Sequence, residues 1–259
     1  MNYLLLKSIT ALTAIAFNCA LTTLSINSPK PIDSTENLIA HIKDNNIQGH
    51  LKSFTFIQET IRFNKDGSPI DTITWYEAIR YPKDFRIDFG DPEKGNANIN
   101  RNDSIYVYRN NKLVHQGPEI QEFLILEGGL YYYSVEETLE RLESLGIDTK
   151  TFTKSTYNNK PIYIIGAVEN NLSKPQIWMD AKELHAVRRY SKGKHEELYE
   201  VRYDDYKNIN GHNIETWIEF WADGNLIQTE RYNDIDTNPE LTDEDFDPKA
   251  FGRSYWFKK

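Results

Sequence analysis

Alternation of apolar and polar residues with a period of two dominates the chain from Phe54 onward, and it is clearest between Ile73 and Val114. Ile73-Thr74-Trp75-Tyr76-Glu77-Ala78-Ile79 runs up to Pro82. Phe85, Ile87 and Phe89 then alternate with Arg86 and Asp88, and Ile105 and Val107 with Tyr106 and Tyr108. Alternation rich in β-branched and aromatic residues predicts antiparallel strands with one wet face. Phe54–Phe63 and Ile70–Tyr81 flank Asn64-Lys65-Asp66-Gly67 and predict a hairpin. Further strands are expected over Thr151–Tyr157, Ile162–Val168, Gln176–Asp180, Leu184–Tyr190, Leu198–Tyr206, Ile214–Trp221 and Leu226–Ile235. Asn110-Asn111, Asn158-Asn159, Ala181-Lys182, Asn210-Gly211 and Asp223-Gly224-Asn225 supply turns. Roughly ten or eleven strands joined mostly by hairpins imply a mainly β chain, one curled antiparallel sheet or barrel.

Two segments change period. Leu38, Ile39 and Ile42 share one face of a helix expected over Thr35–Lys43, with Asp33 and Glu36 spaced as a capping box. Ser134 and Glu137 repeat that spacing ahead of Val135, Leu139 and Leu142, and Gly146 suits the helix C-terminus. Ahead of this second helix, from Gly117 to Tyr133, lies a looser stretch with apolar Phe123 to Leu126.

The first 25 residues read as a signal peptide: Lys7, then an uncharged, mostly apolar run from Ser8 to Leu24, with small residues near its end. Residues 26–259 are expected to form a single domain, since no fixed-period repeat or linker interrupts them. Cys19 is the only cysteine, so no internal disulfide is available; its place in the apolar run makes it a candidate for lipidation and membrane anchoring. Sixteen tyrosines against two methionines favour sheets over helical bundles. The formal charge of −9 excludes the basic stripe a nucleic-acid partner requires.

Catalytic patterns are absent. No nucleophile elbow, glycine-rich dinucleotide loop or P-loop occurs. His195-Glu196 begins like a zinc-protease helix, but Tyr199 stands where the second His is needed. Asp243, Glu244, Asp245 and Asp247 lack the spacing of a calcium loop and read as a solvated turn. Glu215 and Glu219, with Trp217 and Trp221 on their face, leave a secreted glycoside hydrolase as the remote enzymatic alternative. The reading is of a non-enzyme without cofactor or metal.

The order of features resembles the periplasmic outer-membrane lipoprotein-carrier (LolA-like, lipoprotein-sorting) family. An N-terminal helix leads into Phe54-Thr55-Phe56-Ile57-Gln58, followed by Trp75 to Pro82, Phe85 to Phe89, and Asp103 to Tyr108. Pro175 to Asp180, Leu184 to Tyr190, Tyr206 to Glu219 and Phe246-Asp247-Pro248 complete the series over nearly the whole mature chain. The resemblance implies an incomplete, half-open β-barrel with an N-terminal helix, a helical lid insertion at about 118–145, and an apolar cavity for acyl chains. Phe85, Ile87, Phe89, Ile105 and Val107 would line that cavity, with Phe123, Leu124, Ile125, Leu126, Leu139 and Leu142 in the lid. The family's carriers place an Arg directly before the strand-ending Pro, where it helps hold the lid closed. Here Arg80-Tyr81-Pro82 displaces it by one, which in a strand points the side chain to the opposite face.

The function implied is a periplasmic carrier of lipidated proteins or other acyl-chain ligands in a Gram-negative bacterium, in lipoprotein sorting or envelope maintenance. Its partners would be acyl chains of lipoproteins or lipids, and sorting proteins of the inner or outer membrane. The alternative is a non-transport envelope sensor or protein-binding scaffold of the same fold.

Overall fold

A computed structural model describes residues 31–45, 50–253 and 256–258. The expected signal peptide and Cys19 lie outside the described residues. After α1 (Thr35–Asn45), the hairpin expected from Phe54 forms as β1 (Ser53–Phe63) and β2 (Pro69–Arg80). A meander continues through β3 (Asp84–Phe89), β4 (Ala97–Arg101), β5 (Ser104–Arg109) and β6 (Lys112–Pro118). The chain then leaves the sheet for a helical insertion: a wide-turn helix over Leu124–Gly129, α2 (Leu130–Tyr132) and α3 (Val135–Ser144).

It re-enters at the other edge as β7 (Phe152–Tyr157), β8 (Lys160–Ile165), β9 (Gln176–Asp180), β10 (Ala186–Lys192) and β11 (Leu198–Asp204). A small separate hairpin, β12 (Lys207–Ile209) and β13 (His212–Ile214), precedes β14 (Trp217–Ala222) and β15 (Asn225–Asp236). The last strand returns to pair with β1. The sheet thus has thirteen antiparallel strands in the order β6-β5-β4-β3-β2-β1-β15-β14-β11-β10-β9-β8-β7. Its edges β6 and β7 do not pair with each other, so it curls without closing.

Among the described residues fifteen strands replace the ten or eleven expected. The polar break after Phe89 conceals β4, whose Asn98 and Asn100 alternate with Ala97 and Ile99 and so mask the usual signal. The strands expected over Leu198–Tyr206 and Ile214–Trp221 are interrupted by the β12–β13 hairpin. Asn110-Asn111 and Asn158-Asn159 do turn tight hairpins, each pair with both φ values positive, as a type I′ turn demands.

Helix caps follow local chemistry. Ser34, not Asp33, caps α1 by accepting the Asn37 backbone N–H; Asp33 instead accepts from the Asn37 side chain. Ser134 caps α3 by accepting from Glu137 N–H, while the Glu137 carboxylate pairs with Arg141 rather than reaching back. The stripe Leu38, Ile39 and Ile42 is buried in the main core.

The acidic run is not a solvated turn. It forms α4 (Asp243–Phe246), in which Asp245 is buried and accepts from the Thr242 backbone N–H and hydroxyl. The segment from Asp243 onward covers the outer face of β2 to β5. Arg86 and Asp88 are paired there at 2.7 Å, Arg86 also donates to the Asp245 carbonyl, and Tyr108 stacks on Phe251. Residues that alternate as solvent-facing on β3 are therefore buried on both sides of the sheet.

Candidate functional site

The inner face of the sheet follows from the period of two. On β2 it takes Trp75, Glu77 and Ile79; on β1, Phe56, Gln58 and Thr60; on β15, Gln228, Glu230 and Tyr232. Facing partners extend this surface to Ile218 and Phe220 on β14, Tyr203 and Val201 on β11, and Arg189 on β10. A flat sheet would hold β2 and β10 far apart. Curling brings Trp75, Glu77 and Arg189 onto one cavity of about 220 Å³, roofed by Gln121, Glu122 and Phe123.

The lining is mixed: Phe85, Ile87, Val201, Ile218 and Phe220 give it apolar surface, with Phe123 stacked on Phe85 at 5.5 Å, while Trp75, Gln121, Arg189, Tyr203 and Tyr232 add polar atoms. Two carboxyls join them. Glu77 is only 3% exposed and makes no hydrogen bond or ion pair with any described residue. Burial, then the nearby charge of Glu230, holds its carboxyl well above the usual carboxylate range. Glu230 accepts from the Gln228 amide at 2.6 Å, and burial pushes it up to about 7. At the roof Glu122 is ion-paired with Arg189.

A second acidic pair lies under the insertion. Glu127 projects from the wide-turn helix toward Glu215, close enough for the two buried carboxyls to influence each other, and one oxygen of each has no hydrogen-bond partner among the described residues. Burial raises Glu127 to about 7; burial and then the Glu127 charge raise Glu215 well above the ordinary range. His50 is stacked on Tyr131 at 3.9 Å, and burial lowers it to about 4, with His212 adding to the effect.

The insertion is fastened at discrete points. Tyr133 donates to the Pro82 carbonyl and Tyr132 to those of His50 and Leu51. Lys43 of α1 donates to the carbonyls of Tyr131 and Tyr133. Arg141 forms a two-pronged pair with Asp103 and lies over the Tyr133 ring. Gly128 is required where it stands, because a Cβ there would lie 2.0 Å from the Tyr81 ring.

Of the residues expected to line a cavity, Phe85 and Ile87 do so. Phe89 packs edge-on against Trp75 at 4.9 Å, outside the lining. Ile105 and Val107 share the inner face, two strands away, and are also outside it. In the insertion Phe123 reaches the cavity, Leu124, Ile125, Leu126 and Leu142 are buried, and Leu139 is half-buried against the core. Arg80 lies on the outer face, paired with Asp84 and Asp243 and placed over Phe246. No bulge interrupts β2 near it, so its one-residue displacement keeps it away from the insertion.

Glu215 and Glu219 are parted. Glu219 sits between the indole N–H groups of Trp217 and Trp221 on the outer face, while a break before β14 turns Glu215 inward to Glu127. That separation removes the carboxylate pair on which the hydrolase alternative rested. A larger, more polar hollow of about 480 Å³ adjoins Asp180, His185 and Tyr206. His185 lies just before β10 and stacks on Tyr206 at 3.6 Å. Among the described residues no group of His, Cys, Asp and Glu is arranged to hold a metal.

Sequence reasoning missed Glu77, Glu230, Glu122 and Arg189. A signal was available for the first two: Glu77 has the parity of Trp75 and Ile79, and Glu230 that of Tyr232, so each carboxyl falls on the inward register. Glu122 and Arg189, distant in sequence, carried none.

No protein-family model and no curated protein matches the sequence. Solved structures do match. A LolA superfamily protein of Nitrosomonas europaea is 12% identical, with 83% of this chain and 98% of that one covered at a TM-score of 0.54. A domain from Vibrio parahaemolyticus assigned to outer-membrane lipoprotein sorting is 14% identical, with coverage of 84% and 97% and a TM-score of 0.57. A DUF1329 family protein of Desulfovibrio piger is 13% identical, with coverage of 84% and 97% and a TM-score of 0.56. The chain therefore has the LolA-like fold: one large open antiparallel sheet with an N-terminal helix and a helical insertion over its concave face.

Proposed function

We propose that the protein binds and carries acyl-chain ligands, of lipids or lipidated proteins, in the periplasm, with the helical insertion as its lid. The observation that carries this reading is the cavity between the concave face and the insertion, walled by Phe85, Ile87, Phe123, Val201, Ile218 and Phe220. Burial of an acyl chain there has a driving force of about 0.8 kcal/mol per methylene. The fold shared with a lipoprotein-sorting domain supports the assignment, and the apolar run before residue 26 supports export.

The volume of about 220 Å³ is modest. An apolar cavity of about 150 Å³ accepts benzene, so with the lid down this one accepts the end of a chain rather than its length. Full loading requires the lid to rise, which breaks its fastenings at Asp103, Pro82, His50, Leu51, Lys43 and Arg189 and uncovers Leu124, Ile125 and Leu126.

Native purification followed by lipid mass spectrometry, with displacement of a fluorescent fatty-acid analogue, tests the proposal. Recovered acyl species and saturable displacement are expected. A protein that takes up no acyl ligand would overturn it. One observation favours a scaffold role instead: the outer edge of β6 has no neighbouring strand among the described residues, and β6 exposes Leu113 and Val114, a surface to which another strand could add.

A further inference from the structure

The polar groups lining the cavity differ in chemistry, and the difference bears on the ligand. Its walls would suit any short aliphatic chain. Its sheet side carries Glu77, Glu230 and Arg189, and its roof carries Glu122. Arg189 is engaged by Glu122, so the only cation lining the cavity is already neutralised. Glu230 is served by Gln228. Glu77 has no partner among the described residues, is almost completely buried, and belongs to the lining. A buried carboxyl without a partner is costly, and such a group inside a cavity marks where a ligand's polar atom belongs.

We propose that Glu77, backed by Glu230, is the head-group site of this cavity, and that its ligand is an amphiphile bearing a protonated amine. An ammonium carries three donors and a positive charge, which two carboxyls and no free cation complement. A carboxylate or phosphate head would bring a second negative charge to a buried site that offers it no free cation, and it could not draw Glu77 into its charged form. Trp75, opposite Gln58 and in the same lining, adds an aromatic surface near Glu77 that also favours a cation. With no partner Glu77 holds its proton, because burial raises it far above the usual range. Ammonium binding would draw the carboxyl into its charged form and release that proton to solvent. No covalent step is involved.

This inference rests on the cavity being a ligand site, and the experiment separates the two claims. Octylamine, octanol and octanoate, one chain length with three heads, are titrated into the purified protein by calorimetry in buffers of different ionisation enthalpy near pH 6.5. Octylamine is expected to bind at least about tenfold more tightly than octanol, with proton release, and octanoate more weakly than either. In Glu77→Gln the preference for octylamine over octanol should vanish together with the proton release. Octylamine binding no better than octanol in the unaltered protein would overturn the head-group assignment and leave the acyl reading standing. Failure of all three to bind would overturn the acyl reading itself. Should Glu77→Gln not fold, the ratio of the three affinities and the proton count in the unaltered protein decide the matter.

Discussion

Arg189 on β10 is ion-paired with Glu122, at the start of the insertion that leaves the sheet from its β6 edge. The pair ties the insertion to the opposite half of the sheet, and both side chains are roughly four-fifths buried, at 18% and 20% exposure. Partial burial makes it worth more than a surface pair and makes loss of one member costly. Arg189→Met should make local opening of the insertion easier by about 1–2 kcal/mol. Amide exchange at Leu124, Ile125 and Leu126 reports it directly, and the exchanged pair Arg189→Glu with Glu122→Arg should restore protection. Unchanged exchange in Arg189→Met would mean the pair does not fasten the insertion.

Stability should decline from mildly acidic to neutral pH. Glu127 and Glu230 titrate near 7 in the folded protein against an ordinary value of 4.5, because both are buried. Their contribution is fully present below about 4.5 and is lost as pH rises through about 7, since the folded state keeps protons the unfolded chain has released. His50 acts on the acid side: lowered from 6.5 to about 4, it withdraws stability as pH falls between those values. Two raised carboxyls outweigh one lowered imidazole over pH 5–6, so thermal melts should be highest near pH 4–5 and fall toward neutral pH. Glu230→Gln should remove on the order of 2–3 kcal/mol of the decline between pH 5 and pH 8. An equally steep decline in that variant would show that Glu230 does not titrate in this range.

Asp88 neutralises Arg86 beneath the C-terminal segment, and each side chain is 1% exposed. Asp88→Ala leaves a guanidinium in a dry site and should cost about 3–5 kcal/mol in urea denaturation. The double variant Arg86→Met with Asp88→Leu should recover much of that loss. Proteolysis within residues 243–253 should accelerate in the single variant, because Arg86 anchors that segment through the Asp245 carbonyl.

Gly128 sits directly against Tyr81, whose ring is buried in the main core. An added methyl cannot be accommodated at 2.0 Å, and Tyr81 is held on its other side by Phe54. Gly128→Ala should cost about 1–3 kcal/mol and lift the insertion. Limited proteolysis and a fall in Tm measure it; Gly67→Ala, in a turn with open space, controls for added bulk and tests backbone strain at positive φ alone.

Much of the fold was legible because it is written locally. The alternation of β2 and β3, the Asn-Asn turns and the cap at Ser134 are each decided by residues within a few positions of one another. The same locality explains the misses. Strand β4 alternates asparagine with apolar residues, so its pattern is intelligible only once the C-terminal segment is seen to cover Ile99's face of the sheet. Arg86 and Asp88 look like the wet side of a strand until α4 is placed over them.

By itself the sequence determined which residues share a face of the sheet, and hence that Phe85 and Ile87 look one way and Arg80 the other. Only the tertiary structure decided what those faces meet. Period two orients a side chain but cannot say what lies across a curled sheet, and the buried carboxyls that meet come from elements far apart in sequence: Glu77 with Glu230 in the cavity lining, and Glu127 near Glu215 under the insertion. Curling brought these carboxyls inside together, and burial, a property of the whole fold, set their chemistry.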